Sequence, residues 1–156
     1  MKRLLWYLTA VAAVLFLSGA ESAGMDIGKL QPVQVVLVAE ESGTVLVSAD
    51  TGEWGSGEDL AQAMKDLQTT SSLEVFLETA DYLLISPNCE DLLPSMKDYL
   101  RPSCVVCVVE GQPDLMQVGQ FLQRKKPKVT LLQYDAGERV LETLFIEEGR
   151  MYLVSE

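Results

Sequence analysis

The sequence predicts an α+β fold with an α/β-like centre, in which a mixed β-sheet has a hairpin at each end and about three helices packed on it. Two observations at the ends of the chain support this. Apolar runs with strand character occur in pairs there, each pair around a glycine-containing turn. In the centre, apolar strand runs alternate with stretches whose apolar residues recur at helical spacing. This alternation indicates that the central strands pair in parallel.

The first hairpin and the first helix are predicted between residues 33 and 67. The run 33–39 is apolar except for Gln34, and the run 44–49 follows the turn Glu41-Ser42-Gly43. Residues 51–57 (TGEWGSG) are then expected to form a loop. A helix follows, with one apolar stripe made by Leu60, Ala63, Met64 and Leu67, and Ser56 with Asp59 three residues later is a plausible helix cap.

The centre of the chain contains two predicted strands and a helix. Residues 73–77 form a short extended candidate, and residues 80–86 (ADYLLIS) form a strongly apolar strand that should lie in the middle of the sheet. Residues 88–100 have apolar residues at helical spacing. Because proline lacks an amide proton, Pro94 requires this helix to start late or bend, and Pro102 ends it.

The C-terminal third predicts a strand, a helix and further strands. Residues 103–109 form a buried strand, and residues 114–124 form a helix with Leu115, Val118 and Leu122 facing inward. Residues 129–134 are a strand candidate. The runs 140–146 and 150–154 then flank Glu147-Glu148-Gly149, which predicts the second hairpin.

The first twenty residues have the features of a signal peptide. Lys2 and Arg3 precede an apolar run of fourteen residues, 4–17, and the small residues Ser18-Gly19-Ala20 follow it. As a helix this run spans roughly 21 Å, against a hydrocarbon core of about 30 Å. We therefore expect cleavage after Ala20, with an uncleaved N-terminal anchor as the alternative. Residues 21–32 are then a flexible lead, and residues 33–156 form a single domain outside the cytoplasmic membrane.

The composition is acidic, which bears on possible partners. The chain has 12 basic and 23 acidic residues, a net charge of −11. Loss of residues 1–20 removes Lys2 and Arg3 and no acidic residue, so the mature chain carries −13. A protein needs positive surface charge to bind nucleic acid or anionic lipid surfaces, so neither is an expected partner of this acidic chain.

The sequence lacks the residues that most hydrolases and metal sites need. It contains no histidine, which excludes Ser-His and Cys-His catalysis and histidine-ligated zinc. It also has no G-x-x-x-x-G-K-[ST], G-x-G-x-x-G or EF-hand motif. We therefore expect no enzyme activity, and no catalytic, cofactor-binding or metal-binding residues.

The three cysteines are expected to be reduced core residues. Cys89, Cys104 and Cys107 are an odd number, so they cannot all pair. Cys104 and Cys107 have C-x-x-C spacing, but the valines around them predict a strand. Residues three apart on a strand point to opposite faces, so this pair can neither form a disulfide nor share a metal.

Two charged groups remain as candidate sites. Asp50, Glu53, Glu58 and Asp59 surround Trp54, an arrangement that could bind or cleave a sugar, although acidic residues are also favoured before a helix. The second group is a basic patch at the end of a predicted helix, where cations are favoured without any function. It could alternatively meet a membrane or an acidic partner, and it consists of Arg124, Lys125, Lys126 and Lys128.

The order of elements resembles the N-terminal domain of the Ger(x)C family, the C subunits of bacterial spore germinant receptors. The segments that carry the resemblance are 17–19 (LSG), 47–49 (VSA) leading to Gly52, the helix 61–67, 71–73 (SSL), 81–85 (DYLLI), 93–101 and 105–111 (VVCVVEG), with a weaker echo in 144–154. The resemblance covers about residues 17–115.

This resemblance implies a non-catalytic, membrane-proximal protein that associates with the membrane subunits of a germinant-receptor type complex during germination or sporulation. The expected location is the outer face of the cytoplasmic or spore inner membrane, or the medium. Family members carry a lipobox cysteine where this chain has Ala20-Glu21-Ser22, and they are longer with further domains. Anchoring through a lipobox cysteine is therefore not expected. The alternative function is a secreted carbohydrate- or wall-binding protein that uses the Trp54 loop.

Overall fold

The computed structural model describes residues 30–71, 74–138 and 140–155. The predicted signal peptide, and the lead as far as residue 29, lie outside the described residues. The strands are β1 (Leu30–Pro32), β2 (Val35–Glu41), β3 (Thr44–Ala49), β4 (Trp54–Gly57), β5 (Glu74–Phe76), β6 (Tyr82–Ile85), β7 (Val105–Glu110), β8 (Glu142–Glu147) and β9 (Arg150–Ser155). The α-helices are α1 (Leu60–Thr70), α2 (Leu93–Met96), α3 (Leu115–Lys125) and α4 (Leu131–Asp135). Two 3-10 helices cover Leu77–Thr79 and Pro87–Leu92.

The main sheet is mixed and has the predicted α+β architecture. Its seven strands lie in the order β4-β3-β2-β6-β7-β8-β9. The four central strands β2, β6, β7 and β8 are parallel, and the outer pairs are antiparallel. The apolar strand β6 occupies the middle position, as its composition predicts. A second, two-stranded sheet consists of β1 and β5.

Both predicted hairpins are confirmed, and they have the same kind of turn. Ser42 and Gly43 connect β2 to β3, and Glu148 and Gly149 connect β8 to β9. All four residues have positive φ, at 54° and 80° in the first turn and 48° and 76° in the second. Positive φ at both central positions defines the type I′ turn, whose twist matches that of the strands it joins.

Helices pack on both faces of the sheet. Buried residues of α1, α2 and α4 form one hydrophobic cluster with alternate residues of the central strands, such as Val36, Leu83 and Val106. We call this side of the sheet the α1 face. The alternate residues Val35, Leu84 and Cys107 form the second cluster with α3, on what we call the α3 face. The core therefore has two layers separated by the sheet.

The predicted placement of the cysteines is confirmed. Cys104 is buried in the cluster on the α1 face, and Cys107 is buried in the cluster on the α3 face. Cys89 is also buried, and all three thiols are free. The period-two alternation of a strand therefore separates the two sulfurs of the C-x-x-C sequence.

One predicted strand is wrong. Residues 129–134 form only a single bridge, between Thr130 and Val105, and then the helix α4. The Thr130 side chain accepts a hydrogen bond from the Gln133 amide, and the Gln133 side chain bonds back to the Thr130 amide. This capping box fixes a helix start inside an apolar run that has no strand partner on its free side.

The predicted loop 51–57 is also wrong in its second half. Residues 54–57 form β4, an edge strand, because Gly55 and Gly57 let its backbone approach α1 closely. The predicted cap residue is corrected as well. Asp59, and not Ser56, caps α1, since its carboxylate accepts the Gln62 amide at 2.8 Å.

Two other boundaries differ from the prediction. The stretch 88–100 is a 3-10 helix followed by the short α2, because Pro94 stands at the start of α2 and cannot continue a preceding helix. Ordered structure also begins before Val33, since Leu30–Pro32 pair in parallel with β5. Among the described residues, no helix combines the length and apolar character needed to cross a membrane.

Candidate functional site

The acidic group around Trp54 is divided by β4. Asp50 and Glu53 precede this strand and Glu58 and Asp59 follow it, so about 13 Å of extended backbone lies between the two pairs. Two of the four carboxylates also have structural partners. Asp50 accepts the Gln34 amide at 3.1 Å, and Asp59 caps α1. The structure therefore does not bring these four residues together as one site, although Trp54 itself is 58% exposed.

The basic patch has the features of a helix end. Arg124 and Lys125 lie in the last turn of α3, and Lys126 is its C-cap residue in the left-handed conformation. The Arg124 guanidinium donates to the Gln120 carbonyl, and the Lys125 ammonium lies 5.7 Å from the centre of the Phe121 ring. These contacts favour the helix-end interpretation over a binding patch.

The thiols are poorly suited to nucleophilic chemistry. Burial raises the pKa of Cys104 and of Cys107 to about 12, and burial also raises the pKa of Cys89. A thiol reacts as its thiolate, so these side chains remain unreactive near neutral pH. Among the described residues, no cluster of Cys, Asp and Glu has an arrangement that could hold a metal ion.

An exposed apolar surface lies on the α1 face of β8 and β9. Phe145 and Tyr152 are directly opposite each other in the register, and their rings stack at 5.3 Å with an interplanar angle of 13°. Tyr152 is 40% exposed and Val154 is 39% exposed. We call the surface formed by Thr143, Phe145, Tyr152 and Val154 the open face.

A groove of about 440 Å³ adjoins the open face. It lies at the carboxyl ends of β6 and β7, the position at which open α/β sheets bind their ligands. Its floor is apolar and includes Val108 and Leu141, and its polar lining includes the carboxylates of Glu90 and Glu110. Thr143 and Phe145 line both the groove and the open face.

The whole carboxyl edge of the parallel strands is acidic. The residues that end the parallel strands and β4, or that follow them in the adjoining turns and helices, include a series of carboxylates: Glu40, Glu41, Glu58, Asp59, Glu90, Asp91, Glu110, Asp114, Glu147 and Glu148. Of the described residues in the turns at this edge, Arg150 alone is basic. We call this region the carboxyl edge. The carboxyl edge gives a negative potential to the groove and to the end of the open face that lies nearest to Glu147.

The carboxyl edge also affects a side chain of the open face. Partial desolvation raises the pKa of Tyr152, and so do the hydrogen bond to Glu147 and the negative charges of Glu147 and Glu110. The phenol therefore remains a neutral hydrogen-bond donor throughout the physiological pH range.

In comparisons with known proteins, no family model, no curated protein and no solved structure matches this chain.

The sequence contains a signal for the open face in its last two strands. β8 and β9 have apolar residues at both parities, as in Leu144-Phe145-Ile146 and 151–154 (MYLV). In a strand at the edge of a sheet, one face is ordinarily polar. The apolar residues on both faces of the edge strand β9 are therefore a sequence signal for an apolar surface outside the core.

Proposed function

We propose that this chain is an exported, non-catalytic envelope protein, similar to the N-terminal domain of Ger(x)C proteins, that binds a protein partner through its open face. It acts at the outer face of a membrane during germination or sporulation. The partner is a membrane subunit of a germinant-receptor type complex. The protein is membrane-proximal and has no lipobox cysteine for lipid attachment.

The stacked pair of a half-buried Phe145 and an exposed Tyr152 is the observation that carries this proposal. Stacked aromatic rings on an exposed sheet face supply a large, rigid contact area at little cost in side-chain entropy. Aromatic residues are also enriched at the energetic centres of protein interfaces. The groove beside them adds polar groups at the rim, which is the usual arrangement of a protein interface.

The chemistry of the other candidates supports a binding role over catalysis. Acid–base cleavage of a sugar needs two carboxyl groups held about 5–9.5 Å apart, and β4 separates the carboxylates around Trp54 by a longer path. The thiols are buried and protonated. A binding role requires only an accessible surface, which the open face provides.

Capture from envelope extracts tests the proposal. Tyr152→Ser should lose a specific membrane subunit that the unaltered protein retains, because it removes half of the stacked pair. Met116→Ser is the matched control, since Met116 is 66% exposed on α3, away from the open face. Equal capture by both variants would contradict the use of the open face. Turnover of peptidoglycan or glycans that disappears in Glu53→Gln or Asp59→Asn would contradict the non-catalytic assignment.

Export is tested separately by N-terminal sequencing of the envelope-associated protein. Cleavage after Ala20 gives Glu21 as the first residue. Retention of Met1 would instead indicate an N-terminal anchor, and an acylated terminus would contradict the absence of lipid attachment.

A second candidate function is carbohydrate or wall binding through Trp54. The observation that favours it is the 58% exposure of the indole on the edge strand β4. Trp54 is the only tryptophan after the predicted cleavage site. Its fluorescence should therefore change on titration with wall glycans if this function is correct, and Trp54→Ala should abolish wall binding.

A further inference from the structure

The hairpin geometry fixes which backbone groups of β9 point away from the sheet. Glu147 and Arg150 flank a two-residue type I′ turn, so they form a hydrogen-bonded pair. Bonded and non-bonded pairs alternate along an antiparallel ladder. Tyr152 and Val154 therefore bond to β8, whereas Met151 and Leu153 direct their N–H and C=O groups outward. Within the part of the chain that the structure describes, no strand pairs with β9 on that side.

The opposite edge of the same sheet is closed. The backbone amide of Ser56 in β4 donates to the Asp66 carboxylate of α1 at 2.9 Å. A Cβ atom added at Gly55 would lie 2.2 Å from the Leu67 nitrogen, which shows how closely α1 covers this strand. Proteins commonly protect edge strands with such cover, or with lysine, proline or inward-pointing charge.

Beyond Arg150 at its first position, β9 has none of the protective residues common in edge strands. Residues 151–154 are Met-Tyr-Leu-Val, without proline, lysine or a bulge in the β8–β9 register. Its outward backbone groups thus form an exposed template for one more strand.

We propose that β9 accepts an added β-strand from the partner, and that this strand alternates basic and apolar residues. The inference rests on the proposed function, because it specifies how the partner binds beside the open face. Main-chain hydrogen bonds to Met151 and Leu153 give the affinity, and the side chains on either face of the added strand give the specificity.

Charge complementarity identifies the chemistry of the added strand. Side chains on its α1 face lie beside the open face, on the same side of the sheet as Glu147 and Glu110 and the groove that includes Glu90. Basic side chains at this position are favoured by the negative potential of the carboxyl edge, which also accelerates their encounter. Side chains on the α3 face lie beside Met151 and Leu153, which favours apolar residues there. A second copy of this acidic chain fits less well, because Arg150 is the only positively charged side chain that β9 would supply.

The experiment uses the full-length chain and three synthetic ten-residue peptides. The first alternates lysine and valine, the second has glutamate in place of lysine, and the third is the lysine peptide with alternate amides N-methylated. The lysine peptide should bind at least about ten-fold more tightly than the glutamate peptide at low salt, and added salt should weaken it. N-methylation should also weaken binding about ten-fold or more, since it removes strand hydrogen bonds.

Hydrogen exchange locates the binding. The Met151 and Leu153 amides should become protected only when the lysine peptide is bound. Leu153→Pro should abolish binding, because it removes an outward amide that makes no bond to β8. Since proline also removes the Leu153 side chain, Glu110→Gln provides a variant that leaves the fold intact. It should weaken the lysine peptide and reduce the salt dependence.

The outcomes separate this inference from the proposed function. If envelope capture depends on Tyr152 but the lysine peptide neither binds nor protects β9, the strand-addition inference is wrong and the proposed function stands. If capture is independent of Tyr152 and the lysine peptide still binds and protects β9, the proposed function is wrong and the strand-addition inference stands. Protection of Met151 and Leu153 in the protein alone would also overturn the inference. A dimeric mass would then identify a second copy as the occupant, and a monomeric mass would identify residues 1–29 of the same chain.

Discussion

Replacement of Gly55 by alanine should strongly destabilise the protein by forcing β4 away from α1. A Cβ atom at this position would lie 2.2 Å from the Leu67 nitrogen, 2.4 Å from the Ala63 carbonyl oxygen and 2.7 Å from the Leu67 Cα. Ordinary van der Waals contacts begin near 3.4 Å. The strand and helix must therefore separate by about 1 Å, and no flexible side chain can absorb the change because all three atoms belong to the helix backbone.

The magnitude follows from the cost of overpacking. Inserted methyl groups in well-packed regions cost about 1–3 kcal/mol, and a clash with backbone on a helix that buries Ala63, Met64 and Leu67 lies at the upper end. We expect a loss of about 3 kcal/mol in the free energy of unfolding, with a fall of roughly 10 °C in Tm.

Urea unfolding measured by circular dichroism tests this, with Gly43→Ala as the matched control. A Cβ at Gly43 meets nothing within 4 Å, and only its φ of +80° opposes alanine. The control should lose only about 1–2 kcal/mol. If Gly55→Ala lost no more than Gly43→Ala, the close packing of β4 on α1 would be refuted.

Three further predictions concern local features. Asp59→Ala should cost about 1 kcal/mol of unfolding free energy and Ser56→Ala much less, because Asp59 is the cap of α1; urea unfolding of the two variants checks this. Cys104 and Cys107 should react with a thiol reagent only after denaturation, and rapid labelling of the native protein would contradict their burial. Above about pH 9 the unfolded chain loses these two protons while the native thiols keep theirs up to about pH 12. Stability should therefore fall as pH rises through this window, by about 1.4 kcal/mol per pH unit for each thiol, and the Cys104→Ala/Cys107→Ala variant should lack this component.

Features governed by local sequence could be predicted. Each hairpin is specified by its own turn glycine and by the apolar runs on both sides, and α1 is specified by its apolar stripe. The strand prediction for residues 129–134 was wrong because Val129, Leu131 and Leu132 fit a strand as well as a helix. The capping box of Thr130 and Gln133 was the local signal that decides between them.

Features governed by tertiary packing were harder to predict. Gly55 and Gly57 look like loop residues in the sequence, and only the approach of α1 explains them as part of a strand. The open face was missed for the same reason. Phe145 and Tyr152 look like core residues of a hairpin, and their exposure depends on how far the helices extend across the α1 face. Apolar residues at both parities of β8 and β9 indicate that both faces are apolar, but period and propensity do not tell which face the helices cover.

The spatial order of the strands has a consequence for the folding pathway. From β7 to β9, each strand lies beside the one that precedes it in the chain, and none inserts between two earlier strands. During synthesis each of these strands therefore emerges next to a neighbour that is already present. The pairing of β2 with β6 is different, because it must close a long loop that contains β3, β4, α1 and β5. Loop closure of this kind slows folding, so we expect β2–β6 pairing to limit the rate and β9 to join a sheet that is otherwise complete.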